Sequence, residues 1–321
     1  MVLLGAGAVW SLVTAAAHDG RPEGVLLALL AAGAGYASGR ITGALCPVAA
    51  PAAAALAGLG LAVGMPHLAP GPQFATPLGH AGATAALLVL ATGAACCAAW
   101  ATPAPAARLA LRLLAAAVVV TSAAVGSAAG ALLGCGVLLG SLAAGRAHRR
   151  GPVLAGLLLT AGAVGAAAWA LAGNVLPDGL TAALEDRLSE RRIRLWQDAL
   201  HLAGRDPALG VGPGRFGELS PAAGRSPLPD GKPHSAPLQL AAEQGIVGVV
   251  LLAAAFCWVL YVLRRSPRSA PVVLSAGAAL TAVAVIAAVG DALSFTTVSV
   301  GVGVLAGLAT ARPITDGASG G

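Results

Sequence analysis

Apolar positions run almost unbroken along this chain, and the polar ones gather into short islands between them. The apolar runs are roughly 16 to 24 residues long, and a helix needs about 20 to cross the hydrocarbon of a bilayer. Backbone N–H and C=O groups in lipid find partners only within their own segment, so such runs predict helices. In order they are 2–17, 25–38, 41–64, 81–101, two tight helices between Arg112 and Arg146 that turn near 122–130, 152–173, 246–263, 270–289 and 296–311. The fold predicted is all-α, a polytopic transmembrane bundle of about ten spans. Pro47 and Pro51 are expected to kink the third span.

The pattern breaks once, over 174–245. This divides the chain into an N-terminal bundle, 1–173, of about seven spans, a long extracytoplasmic loop, 174–245, and a C-terminal part, 246–321, of about three spans and a short tail. Inside the loop, Leu184, Leu188, Leu195, Ala199 and Leu202 recur at helical period, which predicts an amphipathic helix lying on the membrane surface or the bundle. Gly210-Val211-Gly212-Pro213-Gly214 ends that helix in a tight turn, read as loop geometry.

Composition narrows the class. With 57% hydrophobic and 10% charged residues, the chain cannot cover the surface of a soluble globular domain, which takes about a quarter charged residues. The formal charge of +6 does not read as nucleic-acid binding, because the basic residues divide between two faces. One face carries Arg40, Arg108, Arg112, Arg146, Arg149, Arg150, Arg264, Arg265, Arg268 and Arg312, against Arg21 in the short loops of the other. The arginine-rich face is the cytoplasmic one, so both termini lie inside and the long loop outside. There it has no access to cytosolic nucleotide sugars or ATP. The five cysteines fall in apolar runs without ligand spacing and read as packing residues, and neither a metal nor a cofactor is expected. His67 and His80, in a Pro-rich loop, read as solvated.

The residues able to do chemistry sit in the polar segment. Arg192 is one helical turn from Trp196, close enough for a cation–π contact that holds its guanidinium at the edge of the apolar stripe. Arg187, Arg191 and Arg194 spread around the same helix opposite Glu185, Asp186 and Glu190. His234 lies shortly before the following span and Glu243 at its mouth. An imidazole, with a reference pKa of about 6.5, suits proton transfer. Guanidinium forks suit phosphate oxygens, so the set fits a reaction with a diphosphate leaving group.

These residues resemble the O-antigen ligase and polymerase family of bacterial membrane proteins. The likeness is carried by Arg192-Ile193-Arg194-Leu195-Trp196 with Ala199-Leu200, by Pro207 and the run from Gly210 to Arg215-Phe216, and by His234 followed by Leu238, Glu243, Gly245 and Gly248. The resemblance implies a bacterial cytoplasmic membrane glycosyltransferase. It would move a glycan from a polyprenyl diphosphate carrier to an acceptor hydroxyl on a glycan, lipid or protein, without a metal and with inversion. In that scheme Arg192 binds the diphosphate, His234 orients or deprotonates the acceptor, and Asp291, near a span boundary, is a further acidic candidate. Arg191, Arg194, Trp196, Arg215 and Glu243 stand as candidate substrate contacts. The chain departs from the family pattern at Ser127-Ala128-Ala129-Gly130, where Ser-Arg-Gly is usual, at Ser235, where Asn follows the His, and at Asp206, where a His precedes the Pro. The competing reading is a permease or non-catalytic membrane protein on the same scaffold. Transporters carry ionisable residues at mid-membrane, and these spans hold almost none.

Overall fold

The computed structural model describes residues 2–68, 77–146, 149–175, 190–224 and 231–312. These form helices α1 (Val2–His18), α2 (Glu23–Leu45), α3 (Ala49–Leu68), α4 (Pro77–Ala101), α5 (Pro105–Ala124), α6 (Ala128–Ala144), α7 (Arg150–Ala172), α8 (Glu190–Arg205), α9 (Phe216–Leu219), α10 (Pro221–Gly224), α11 (Ala236–Arg264), α12 (Ala270–Val289) and α13 (Thr296–Thr310). A short 3₁₀ turn, Ala292–Ser294, joins the last two, and no strand occurs among the described residues. Among the described residues six helices are long and apolar enough to cross a membrane: Glu23–Leu45, Ala81–Ala101, Pro105–Ala124, Arg150–Ala172, Ala236–Arg264 and Ala270–Val289. Four more apolar helices, Val2–His18, Ala49–Gly64, Ala128–Ala144 and Thr296–Thr310, are shorter.

The pair 41–64 and 25–38 is drawn differently from the sequence expectation. Arg40 does not close a span; it lies inside α2, its guanidinium 6.0 Å from the centre of the Tyr36 ring. The break falls instead at Cys46–Val48. Pro47 has no N–H to continue the ladder and disfavours helical geometry in the residue before it, and Pro51 fits the first turn of α3, where an N–H has no partner to lose. The turn between α5 and α6 falls at 125–127, where it was expected.

Helices α4 and α12 are the centre of the bundle. Their apolar windows are 83% and 78% buried, against 11–17% for α2, α5, α7 and α11. The outer helices turn Leu27, Leu30, Leu109, Leu113, Val120, Leu159 and Val250 outward, an apolar surface that only lipid would cover. Close approach is set by small residues: Gly35, Gly39 and Gly43 of α2 lie against Val300, Val304 and Leu308 of α13, and Gly303 and Gly307 of α13 lie against Ala32 and Tyr36. A Cβ at Gly39 would meet the Val304 carbonyl itself. Lipid tails are as apolar as the side chains, so such backbone contact, rather than burial from water, holds the pair together. Gly39→Leu, which overpacks against backbone at about 1–3 kcal/mol or more, is expected to cut the yield of monodisperse protein several-fold. Gly60→Leu, where nothing lies within 4 Å, leaves it unchanged; size-exclusion chromatography of a fluorescent fusion reads both.

At the opposite end from the polar segment, arginines close helix ends. Arg150 donates to the carbonyls of Ser266 and Arg268, and Arg268 to those of Ala311 and Gly43. Helix C-termini leave such carbonyls unpaired, so these cations do structural work at that face.

Candidate active site

The site is built around a break in α11. Gly245 adopts φ 66°, ψ −165° inside that helix, dividing an arm that begins at Ala236 from the long apolar run that follows. A helix broken there leaves the carbonyls of its last turn without N–H partners, and each has been given another. Val211 N–H donates to Ala242 O at 2.8 Å, Gly212 N–H to Glu243 O at 3.0 Å, and the Trp10 indole to Gln244 O at 3.0 Å. On the far side of the break Ile246 N–H donates to Pro207 O at 2.9 Å. Glycine is needed on both partners: at Gly245 a Cβ would meet the Ala208 carbonyl, and at Gly210, φ 68°, it would lie 2.6 Å from Ala242 O and Gln244 N. The Pro207-to-Phe216 run and the Glu243-Gly245 pair, two separated parts of one sequence pattern, are therefore the two halves of one backbone interlock.

The first helical hairpin closes the other side of that loop. Arg21 N–H donates to Pro213 O at 2.7 Å, Gly20 packs on Pro213, and Arg215 donates from Nη1 to His18 O. Arg21 and Arg215 both reach the carboxylate of Glu218, at 3.3 and 3.9 Å. Asp206 accepts from Ala208 N–H and Leu209 N–H and lies 3.7 Å from His18 Nε2. An imidazole thus stands beside position 206 after all, contributed by α1.

Helix α8 is not loose on a surface. Its Leu195, Trp196, Ala199 and Leu202 are buried in a cluster with Leu171 and Ala172 of α7, Phe216, Leu238 and Ala242. The period read from Leu195 onward matches this face; its earlier members Leu184 and Leu188, and Arg187, Glu185 and Asp186, fall outside the described residues. The Trp196 indole donates to Pro233 O at 2.7 Å, which fixes the strip 233–235 against α8. His234, next in that strip, has φ 52°, left-handed backbone that an L side chain adopts only under constraint.

Three candidate residues come to the end of α12. Arg192 Nη1 donates at 3.2 Å to the carbonyl of Val289, the last residue of α12. Two residues on, Asp291 is buried, its Oδ1 makes no hydrogen bond, and it faces His234 Nδ1 at 3.9 Å. Both side chains are 8% exposed. A buried carboxylate oxygen without a donor is unfavourable by roughly 1–3 kcal/mol unless a cation or ligand meets it, and the neighbouring imidazole is placed to do so. Gly82, near the start of α4, lies against Asp291, and Gly130 of the Ser127 turn lies against Ala85, so that turn is at the same end of the bundle. Ser127 Oγ is occupied there as the cap of α6, accepting from Gly130 N–H.

The remaining candidates go elsewhere or stand apart. Arg194 is exposed and pairs with Glu190 at 2.6 Å, and Arg215 belongs to the hairpin contact above. Arg191 has its Nε and Nη2 buried with no hydrogen bond. Glu243 is buried, its carboxyl accepts from Gln239 Nε2 at 3.4 Å, and the backbone N–H groups of Gly214 and Phe216 lie against it. The side chains of His67 and His80 fall outside the described residues. Sequence reasoning passed over Trp10, His18 and Gln239, and marked Asp206 only as a departure from the family pattern. An indole in an apolar run was the one available signal, since its N–H needs an acceptor.

A helical bundle with lipid-type outer faces and one polar, motif-bearing end defines a membrane protein. A family model described as O-Antigen ligase matches residues 110–253, the stretch that runs from α5 through Arg192 and His234 to the first turns beyond the α11 break. Over that stretch, a little under half of its length, the chain is similar to the O-antigen ligase family. No curated protein and no solved structure matches the chain.

Proposed function

We propose that the protein is a membrane glycosyltransferase of the ligase or polymerase type, transferring a glycan from a polyprenyl diphosphate carrier to an acceptor hydroxyl at the extracytoplasmic face. The observation that carries this reading is the meeting of Arg192, His234 and Asp291, drawn from three separate segments, at one end of the bundle. The arginine-poor connections, with Arg21 among them, mark that end as the outer one, and about ten spans then bring both termini to the inside.

In this reaction the acceptor oxygen attacks the anomeric carbon from the face opposite the diphosphate. The new glycosidic bond forms as the bond to the diphosphate oxygen breaks, which inverts the centre. The acceptor proton passes to His234 Nε2, while Nδ1 faces Asp291, whose negative charge stabilises the imidazolium that forms. Polyprenyl diphosphate departs with its charge growing on oxygen, and the Arg192 guanidinium at the end of α12 offers it a planar pair of donors. Arg191, with two buried nitrogens uncommitted, is the nearest further cation in sequence. No metal takes part in these steps.

Proteoliposomes holding the purified protein and a polyprenyl-diphosphate glycan, with chelator present, are expected to release free polyprenyl diphosphate and a glycan joined to acceptor. Solute flux without any such product would replace this reading with a permease. Asp291→Asn keeps the shape but removes the charge facing His234. It is expected to lower kcat about tenfold, equivalent to about 1.4 kcal/mol of transition-state stabilisation, with the donor KM within about twofold.

A further inference from the structure

A glycine-rich loop whose N–H groups converge is normally read as a cradle for a phosphate. Here the loop already holds a carboxyl group of the chain itself. Gly214 has φ 75° and Arg215 follows at φ −98°, ψ −6°, the alternation of left- and right-handed residues that turns successive N–H groups toward one point. The group facing that point is the Glu243 carboxyl, which accepts from Gln239 Nε2 on both oxygens at 3.4 Å, lies against the Gly214 and Phe216 N–H groups, and is 3% exposed. The same loop binds the Glu243 main chain through Gly212 N–H and the preceding carbonyl through Val211 N–H.

We infer that Glu243 is a positioning residue: its buried carboxyl is the built-in occupant of the Gly-rich loop, and the clamp so formed, with the main-chain bonds to Ala242 and Glu243, sets the arm of α11 that starts beside His234. The arm, Ala236 to Gln244, is held at two points only a few turns apart. At its start Trp196 grips Pro233 O, next to His234; at its end the loop grips Ala242 and Glu243. With both grips closed, the imidazole is directed at Asp291 from a backbone conformation it would not choose alone. The loop N–H groups are consumed in this clamp and are not offered to the donor diphosphate. Since the inference takes His234 as the base, it rests on the function proposed above.

The test compares Glu243→Ala, Glu243→Gln and wild type in proteoliposomes with a polyprenyl-diphosphate glycan, reading kcat and donor KM separately. A second readout places a cysteine at Ser235, which is 1% exposed, and follows its labelling by a membrane-impermeant maleimide. Glu243→Ala is expected to lower kcat tenfold or more with donor KM within twofold and to speed labelling at 235 severalfold. Glu243→Gln, which keeps an acceptor oxygen and the side-chain volume, restores at least a third of wild-type kcat and slow labelling. Gln239→Leu, which removes one donor to the carboxylate, shifts both readouts less in the same direction and serves if Glu243→Ala does not reach the membrane. Wild-type kcat in Glu243→Ala, a raised donor KM at unchanged kcat, or Glu243→Gln as impaired as Glu243→Ala would each overturn the inference. If wild type itself transfers nothing, the functional reading falls, and the labelling arm alone decides whether the clamp exists.

Discussion

Arg192→Ala is expected to reduce glycan transfer by about 10²- to 10³-fold at unchanged membrane levels, the range found when one preorganised donor to a developing oxyanion is removed. The side chain has two jobs, and the variants separate them. Its Nη1 caps Val289, a neutral carbonyl at a helix end, and that contact alone is worth about 1–3 kcal/mol. Arg192→Lys retains a cation able to reach one oxygen but loses the planar fork, so it is expected to recover protein yield fully and activity only in part. If Arg192→Ala accumulates normally and yields wild-type product, the residue is a helix cap and nothing more. The measurement is glycan product on gels from membranes matched for protein content.

His234 gives the second large effect, and its backbone makes the experiment clean. Deleting a general base removes about 10²- to 10⁴-fold in rate. A left-handed φ of 52° is unfavourable for a side-chain-bearing residue by about 1–2 kcal/mol and is nearly free for glycine. His234→Gly is therefore expected to accumulate at least as well as His234→Ala while both remain inactive, with donor still binding. Loss of stability in the glycine variant, or activity in either, would show that the imidazole serves packing. Persistence of strain at a buried position beside a carboxylate is itself a reason to place function there.

Much of the fold was legible because lipid leaves a sequence little freedom: long apolar runs become helices, and the islands between them become turns. The misjudged boundary at Arg40 came from treating a charge as the end of a span. A long side chain can lie over Tyr36 from within the helix, whereas the missing N–H of Pro47 cannot be accommodated that way. In the site, Arg192, Trp196 and His234 were visible as residue types at suggestive spacing. Their partners were not. Asp291 meets His234 through the path of α11 and α12 across the bundle, which no local pattern encodes. Glu243 drew notice as an acid at a span mouth, but only the folded chain brings the glycine-rich loop onto it, through bonds from Val211 and Gly212 to the Ala242 and Glu243 carbonyls. Glycines announce an unusual backbone without naming what fills the space.

Trp10 and Asp291 lie near the two ends of the chain, outside the matched stretch, yet each completes a contact within it. The α11 break is therefore held by an indole that precedes the matched stretch, and the imidazole meets a carboxylate that follows it. In the proposed reaction, a product truncated ahead of Asp291 would carry the motif yet lack the charge facing His234, so the matched stretch expressed alone would be a weaker catalyst than the protein that surrounds it.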